Sequence, residues 1–237
     1  MTSVETYRTW AEERTERVLQ IGPQDRLIAM VVGSLDWRAT IDGRSGGLSS
    51  PPDRALLRAW RSAADLLLVG ARTLEQERYG SIIPEVDRES RESRGQTRVP
   101  RVVTISRSMS IDVARVMEAD SLLPLTIYTA SAATAPTSHP SSEIVSLPDA
   151  EVESVIADAR RRYSASTIVC EGGPTLLAKA AEQRCLTDIS LTVAPVLVGS
   201  GPHVFEAHFD EPEAVRLVEA DDHEGSVFAH YGIGWSE

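Results

Sequence analysis

The sequence predicts an α/β fold with a mostly parallel central sheet and antiparallel strands towards the C-terminus. Three observations lead there. Five short segments, Leu27–Val32, Asp65–Val69, Val99–Ile105, Leu125–Thr129 and Ile168–Cys170, are largely apolar runs of strand length, the pattern of strands buried on both faces. Helical stretches alternate with these strands through the chain. The last two strand-like segments, Asp188–Val198 and Val227–Trp235, have no clear helix between them, which places antiparallel additions at one edge of the sheet.

Taken in order, residues 4–19 space Val4, Tyr7, Trp10, Ala11, Val18 and Leu19 along one helical face, with charges between. Ile21-Gly22-Pro23 stops that helix, so residues 1–24 read as a helical arm packed on the domain or on a partner subunit. Residues 25–237 show no internal repeat and no linker and read as one domain; 237 residues at 42% hydrophobic content can bury one large core. After the first strand, Ser34 to Ser50 is a loop rich in Gly, Ser and Asp. Pro51 and Pro52 open a helix through Ala64, with Leu56, Leu57, Trp60 and Ala64 on its apolar face. Gly70 ends the second strand, and Thr73–Arg78 reads as the first turns of a helix. Residues 84–101 carry charges of both signs and no apolar stripe. They read as a solvated loop or exposed helix, with a flap over a site as the alternative. Residues 130–142 read as a surface loop of Ser, Thr, Ala and Pro. Glu151–Tyr163 is helical through Val152, Val155, Ile156 and Ala159. Ile168–Cys170 runs into a Gly-Gly turn and a helix to Arg184. Asp188–Val198 alternates Ile189, Leu191 and Val193, Gly199-Ser200-Gly201 is a flexible turn, and Val227–Trp235 closes the sheet.

The balance of 24 Lys and Arg against 35 Asp and Glu gives a net charge of −11, with only 5% aromatic residues. That composition argues against nucleic acid or a membrane surface as partner. An anionic ligand would have to be held by local N–H groups and a few arginines against the global field. The two cysteines, Cys170 and Cys185, lie in apolar settings without a Cys-x-x-Cys, as buried thiols of a reducing cytoplasm do. Met1-Thr2-Ser3-Val4-Glu5 shows no secretory pattern, and no apolar run reaches membrane-spanning length. The expectation is a soluble cytoplasmic protein.

The chemistry concentrates at strand ends. Cys170-Glu171-Gly172-Gly173-Pro174-Thr175-Leu176-Leu177 is a strand, two glycines and a helix start. Glycine lets backbone approach a ligand closely, a helix start favours an anion, and Pro174 suits a first helical position. Val69-Gly70-Ala71-Arg72-Thr73 repeats the design with a hydroxyl. Ile105-Ser106-Arg107-Ser108 ends a strand with hydroxyls and a cation. Ligands of open α/β sheets bind beyond the carboxyl ends of the strands, so three such ends point to a ligand with several phosphates. Ser106 and Arg107 could hold a lone phosphate by charge-assisted bonds, as the 2′-phosphate of NADP requires. The G-x-G-x-x-G fingerprint is absent, as are a Walker loop and a Gly-x-Ser-x-Gly. His139, His203, His208, His223 and His230 show no ligand spacing, so no metal is assigned. Gly33-Ser34-Leu35-Asp36 follows the first strand, and Ser45-Gly46-Gly47 lies further on; Asp36 could hold a polar substrate or donate a proton.

Together these pieces resemble the reductase domain of bacterial riboflavin biosynthesis, the C-terminal half of the bifunctional pyrimidine deaminase/reductase. The matching pieces are Ser34-Leu35-Asp36, Ser49-Ser50-Pro51 with Asp53-Arg54, Asp65 to Ala71 with Thr73, Glu171 to Leu177, and Leu186 to Gly201. They run from about residue 25 to the C-terminus. The resemblance implies a dihydrofolate reductase-like three-layer sandwich with helices on both faces, and a homodimer. It implies NADPH contacts at Val32, Thr73, Glu77, Ser106 and the turn Gly172, Gly173, Pro174, Thr175 and Leu176, beside Gly70 and Arg107. Ser45, Arg61 and Glu171 would meet the substrate, with Asp36 nearby; Arg54 lies seven residues before Arg61, on the same helix face. The implied reaction is hydride transfer from NADPH to a ribosylamino-pyrimidine phosphate, the ring-opened imine becoming a ribitylamino group. Asp36, Glu171 and solvent are the candidate proton donors.

Three departures bear on substrate. Trp37 stands where the family has Gly after Ser-Leu-Asp. Glu77-Arg78-Tyr79-Gly80 replaces the family's Asp-Asp-Pro-x-Leu and its following Arg. The deaminase motifs, His-x-Glu with Pro-Cys-x-x-Cys, are absent. A dihydrofolate or pterin reductase, and a nucleotide- or pterin-binding protein without turnover, are the alternatives.

Overall fold

A computed structural model describes residues 4–77, 82–107, 109, 111–119, 123–130 and 141–235. The strands are β1 Arg26–Ser34, β2 Leu66–Val69, β3 Arg101–Ile105, β4 Leu125–Thr129, β5 Ser142–Ser146, β6 Thr167–Gly172, β7 Asp188–Ala194, β8 Val215–His223 and β9 Ser226–Ile233. They form one sheet in the order β5-β4-β3-β2-β6-β1-β7-β9-β8. Every pairing from β5 to β7 is parallel, while β9 runs antiparallel to both β7 and β8. The carboxyl ends of β3, β2, β6 and β1 are therefore neighbours on one edge.

Seven helices cover the sheet in the described residues: α1 Arg8–Gln20, α2 Pro51–Ala63, α3 Ala71–Glu77, α4 Glu85–Ser93, α5 Val113–Ala119, α6 Val152–Tyr163 and α7 Pro174–Glu182. Alternation along the strands divides the core into two layers. Ile28 and Met30 of β1 and Leu67 and Val69 of β2 pack with Ala11, Leu56, Trp60 and Val116 on one face. Leu27, Ala29, Val31, Leu66 and Leu68 pack with Val155, Ile156, Leu177 and Ala181 on the other. This is the expected three-layer sandwich, a mostly parallel sheet with helices on both faces. Ser50 caps α2 by accepting the Asp53 N–H at 3.4 Å, and Pro51 and Pro52 open the helix where no N–H is needed.

The structure refines some expectations and changes others. The helix of residues 4–19 takes the first of its two expected places, packed on the domain: Ala11 and Val18 are buried, and Trp10 meets His223 and Phe228 edge-on at 4.4 and 5.1 Å. Its buried Arg14 pairs with Asp221 and with Glu219 on β8. The apolar face of this helix is thus covered within the chain. Residues 84–101 follow the exposed-helix reading, as α4, but two of its charged residues, Asp87 and Arg91, are buried and dock it. Asp87 accepts from Arg58 at 2.5 and 3.0 Å. Arg91, fully buried, donates to the carbonyls of Ala64, Thr97 and Ser62 at 2.6, 2.8 and 2.9 Å. Helix α5 and strands β5 and β8 had no sequence signal. The expected strand to Val198 ends at Ala194, before Pro195. Most of the expected 130–142 loop, residues 131–140, lies outside the described residues.

Candidate active site

The Gly-Gly turn is where β6 passes into α7. Gly172 and Gly173 have φ of +85° and +82°, values that disfavour any side chain. A Cβ on Gly173 would lie 3.1 Å from the Thr73 hydroxyl, and one on Gly70 would lie 3.0 Å from the Gly172 carbonyl. The Gly70 N–H donates to that same carbonyl at 3.0 Å. The ends of β2 and β6 therefore approach within backbone contact, with Thr73 between them. Pro174 has no N–H, and those of Leu176 and Leu177 turn back onto the Gly173 carbonyl at 3.0 and 3.1 Å.

Immediately before the turn, Glu171 takes both oxygens to Arg61, at 2.6 Å each. The Glu171 side chain is 4% exposed and that of Arg61 18%. The Arg61 cation, expected to meet the substrate, is directed at Glu171 and, at 3.4 Å, at the Ile82 carbonyl. Arg54 is exposed two turns earlier on α2 and is not brought to this pair. Ser45 lies in a single 3-10 turn, Ser45–Gly47, leading into α2. Val32 is half-buried on β1, opposite Thr192. The side chain of Glu77, and residues 78–81 where the family's Asp-Asp-Pro-x-Leu would fall, lie outside the described residues.

Asp36 has a different task from the one expected. Its carboxylate accepts from the Ser34 hydroxyl at 2.6 Å and from the N–H groups of Val198 and Gly199 at 2.9 and 2.7 Å. These donors, the Ser34 hydroxyl foremost, hold its carboxyl well below the usual carboxylate range. An acid so stabilised as an anion is a poor proton donor at neutral pH. Asp36 clamps the loop after β1 to the loop after β7, and the Ala39 N–H to Pro202 carbonyl bond at 2.9 Å continues the seam. Trp37, next in line, has a φ of +59°, the left-handed conformation that favours the family's glycine. The sequence reading also missed the work of Asp53. It is buried between Ser49, whose hydroxyl it accepts, and Thr192, and burial raises its pKa against those hydrogen bonds.

At the end of β3, Ser106 is buried and Arg107 exposed. Arg107 is not a free cation: it pairs with Glu151 at 2.7 Å. Ser108 lies outside the described residues. An open pocket of about 640 Å³ runs between α3, the end of β3 and α5, lined by Ser106 and Arg107 together with Arg72, Arg115 and others. Arg72 sat unremarked inside the quoted Gly70–Thr73 motif, and Arg115 belongs to the helix that gave no signal. No helix in the described residues is long and apolar enough to cross a membrane.

A parallel sheet with an antiparallel edge, helices on both faces, and bare glycine backbone where β2 and β6 end side by side define an α/β protein whose candidate ligand site lies at the carboxyl edge of its sheet. The chain belongs to the RibD C-terminal domain family, the pyrimidine reductase domain of riboflavin biosynthesis, whose model matches residues 26–222. A pyrimidine reductase-like protein of Corynebacterium diphtheriae superposes with a TM-score of 0.77 at 20% identity, over 95% of this chain and 99% of that one. The bifunctional deaminase/5-amino-6-(5-phosphoribosylamino)uracil reductase of Thermotoga maritima gives 0.68 at 19%, over 89% of this chain and 57% of that one. The riboflavin biosynthesis reductase of Saccharomyces cerevisiae gives 0.64 at 14%, over 93% and 99%. At these identities the likeness establishes the fold. A search of curated proteins gives no match.

Proposed function

We propose that this chain is an NADPH-dependent reductase of the phosphoribosylamino-pyrimidine of riboflavin biosynthesis. The observation that carries the proposal is the glycine cradle in a member of this family. Gly70, Gly172 and Gly173 meet at two adjoining strand ends with the Thr73 hydroxyl between them, and a Cβ at Gly173 would crowd that hydroxyl at 3.1 Å. A diphosphate needs such bare backbone. Thr73 and the Gly172–Leu176 turn would hold the diphosphate and nicotinamide end, beside Val32. Ser106 and its pocket would hold the adenosine end. Bound there, the nicotinamide supplies the hydride for the imine carbon of the opened ribose.

The chain's own contribution is placement. Glu171 orients the pyrimidine or its ribityl chain, and Arg61 keeps that buried carboxylate fixed. Asp36 holds the two loops flanking β1 and β7 in register, with Ser45 and Asp53 shaping the wall beside them. The proton that the imine nitrogen gains comes from solvent, since Asp36 is held as an anion and Glu171 is engaged by Arg61. The dihydrofolate and pure-binding alternatives have no observation in their favour. Oxidation of NADPH with 5-amino-6-(5-phosphoribosylamino)uracil, and not with dihydrofolate, tests the reading; turnover of dihydrofolate alone would overturn it.

The working form is a homodimer. Leu217 on the edge strand β8 and Val227 on its neighbour β9, 51% and 46% exposed, are apolar surface that a second copy would cover. A monomer at all concentrations in sedimentation would reject this. A reducing cytoplasm suits the thiols of Cys170 and Cys185, which burial pushes up to about 12 and about 11.

A further inference from the structure

The pocket beside β3 distributes its charges unevenly. Three guanidinium groups line it, from Arg72 on α3, Arg107 after β3 and Arg115 on α5, with Glu75 as the lining carboxylate. Arg107 is paired: its Nη2 lies 2.7 Å from Glu151 Oε1, and the other Glu151 oxygen accepts from Gln183 at 2.6 Å. That network ties Arg107 to the start of α6 and the end of α7 and neutralises it. Glu75 is also engaged, accepting the Asp112 N–H at 2.8 Å ahead of α5. Arg72 and Arg115 differ. Both are exposed, and among the described residues neither guanidinium has an ion pair or a side-chain hydrogen bond. Two unneutralised cations facing one pocket are unexpected on a chain of net charge −11. The pocket wall between them includes Ala71, Ile105 and Ile111, an apolar surface suited to a planar base. A volume of about 640 Å³ is within the range of small-ligand sites.

We propose that Arg72 and Arg115, rather than Arg107, select NADPH over NADH by gripping the 2′-phosphate of its adenosine half. This rests on the reading of the chain as a nicotinamide-dinucleotide reductase. Guanidinium forks match phosphate oxygens in pairs, and the ribose hydroxyl of NADH offers them no charge. Arg107 stays with Glu151 and supports the loop that carries Ser106.

The test uses the intact protein, with 2′,5′-ADP and 5′-AMP as calorimetric probes that differ by the phosphate in question. In Arg72→Gln/Arg115→Gln, the Kd for 2′,5′-ADP should rise at least ~50-fold while that for 5′-AMP stays within ~3-fold, the scale of losing charged hydrogen bonds. Arg107→Gln should change either probe less than ~3-fold. All three arginines are exposed, so an unchanged denaturation midpoint is expected alongside. A loss that follows Arg107→Gln and spares the double variant overturns the assignment. Equal affinity of the wild type for the two probes, with NADH turned over as well as NADPH, would instead overturn the NADPH reading beneath it.

Discussion

Gly173→Ala is the smallest change that tests the cradle. Gly173 has φ +82° and ψ 136°, a region in which a residue with a side chain costs about 1–3 kcal/mol. The new Cβ would sit 3.1 Å from the Thr73 hydroxyl, so Thr73 must yield by a few tenths of an ångström. Against a domain stability of about 5–15 kcal/mol, the variant stays folded. Its NADPH affinity should fall at least about tenfold, or ~1.4 kcal/mol, and Gly173→Val, with more bulk in the same place, should bind none. Gly95→Ala separates strain from crowding: Gly95 has φ +77° and nothing within 4 Å of an added Cβ. Denaturant unfolding should show comparable stability losses for Gly95→Ala and Gly173→Ala, whereas NADPH fluorescence titration should show lost binding only at 173. A folded Gly173→Val protein with wild-type affinity would refute the cradle, and so would an equal binding loss in Gly95→Ala.

Three other outcomes are expected. Asp36→Asn should destabilise the protein at neutral pH. The folded carboxyl titrates below the ordinary value of about 3.9, so its contribution is present above that value and lost as pH falls. Unfolding curves of the two proteins should converge in acid, and a gap that persists there contradicts the clamp. Arg61→Ala should raise KM for the phosphorylated pyrimidine far more than for NADPH. Combined with Glu171→Gln it should be non-additive by about 1–3 kcal/mol in kcat/KM, and strict additivity would show that the pair does not act as one. Arg91→Met should cost about 3 kcal/mol or more in calorimetric stability, because the buried carbonyls of Ser62, Ala64 and Thr97 lose their charged donor; a change under ~1 kcal/mol would mean that α4 docks by other means.

The strands that were legible are those buried on both faces, since continuous apolar runs such as Leu27–Val32 and Leu66–Val69 need no partner to be recognised. The candidate site could be read from them as a place in the fold, because glycines and hydroxyls at the ends of β2, β3 and β6 fall on one edge once the sheet is parallel. What escaped is held by charge. Helix α4 buries Asp87 and Arg91 while Val86 is 45% exposed, so hydrophobic periodicity points the wrong way. Strand β8 reads Val-Arg-Leu-Val-Glu-Ala-Asp-Asp-His and is covered through ion pairs of Glu219 and Asp221 with α1. The same limit applied within the site. Arg61 and Arg107 were recognisable as candidate cations for a ligand, but their partners are 110 and 44 residues away. Only the folded chain shows that each is already matched.

Strand β6 pairs with β1 on one side and β2 on the other, yet it is synthesised about a hundred residues after β2. A nascent chain on the ribosome therefore carries two apolar strands with unpaired edges, facing a lane that nothing in the chain so far can fill. Contacts of such long range close slowly, and open edges of this kind invite pairing with other chains. The segment that finally enters the lane is Thr167–Gly172, which delivers the Gly-Gly turn with it. Filling that lane and forming the glycine turn are one event, so a chain that has escaped misassembly there has in the same step set Gly172 and Gly173 beside Gly70.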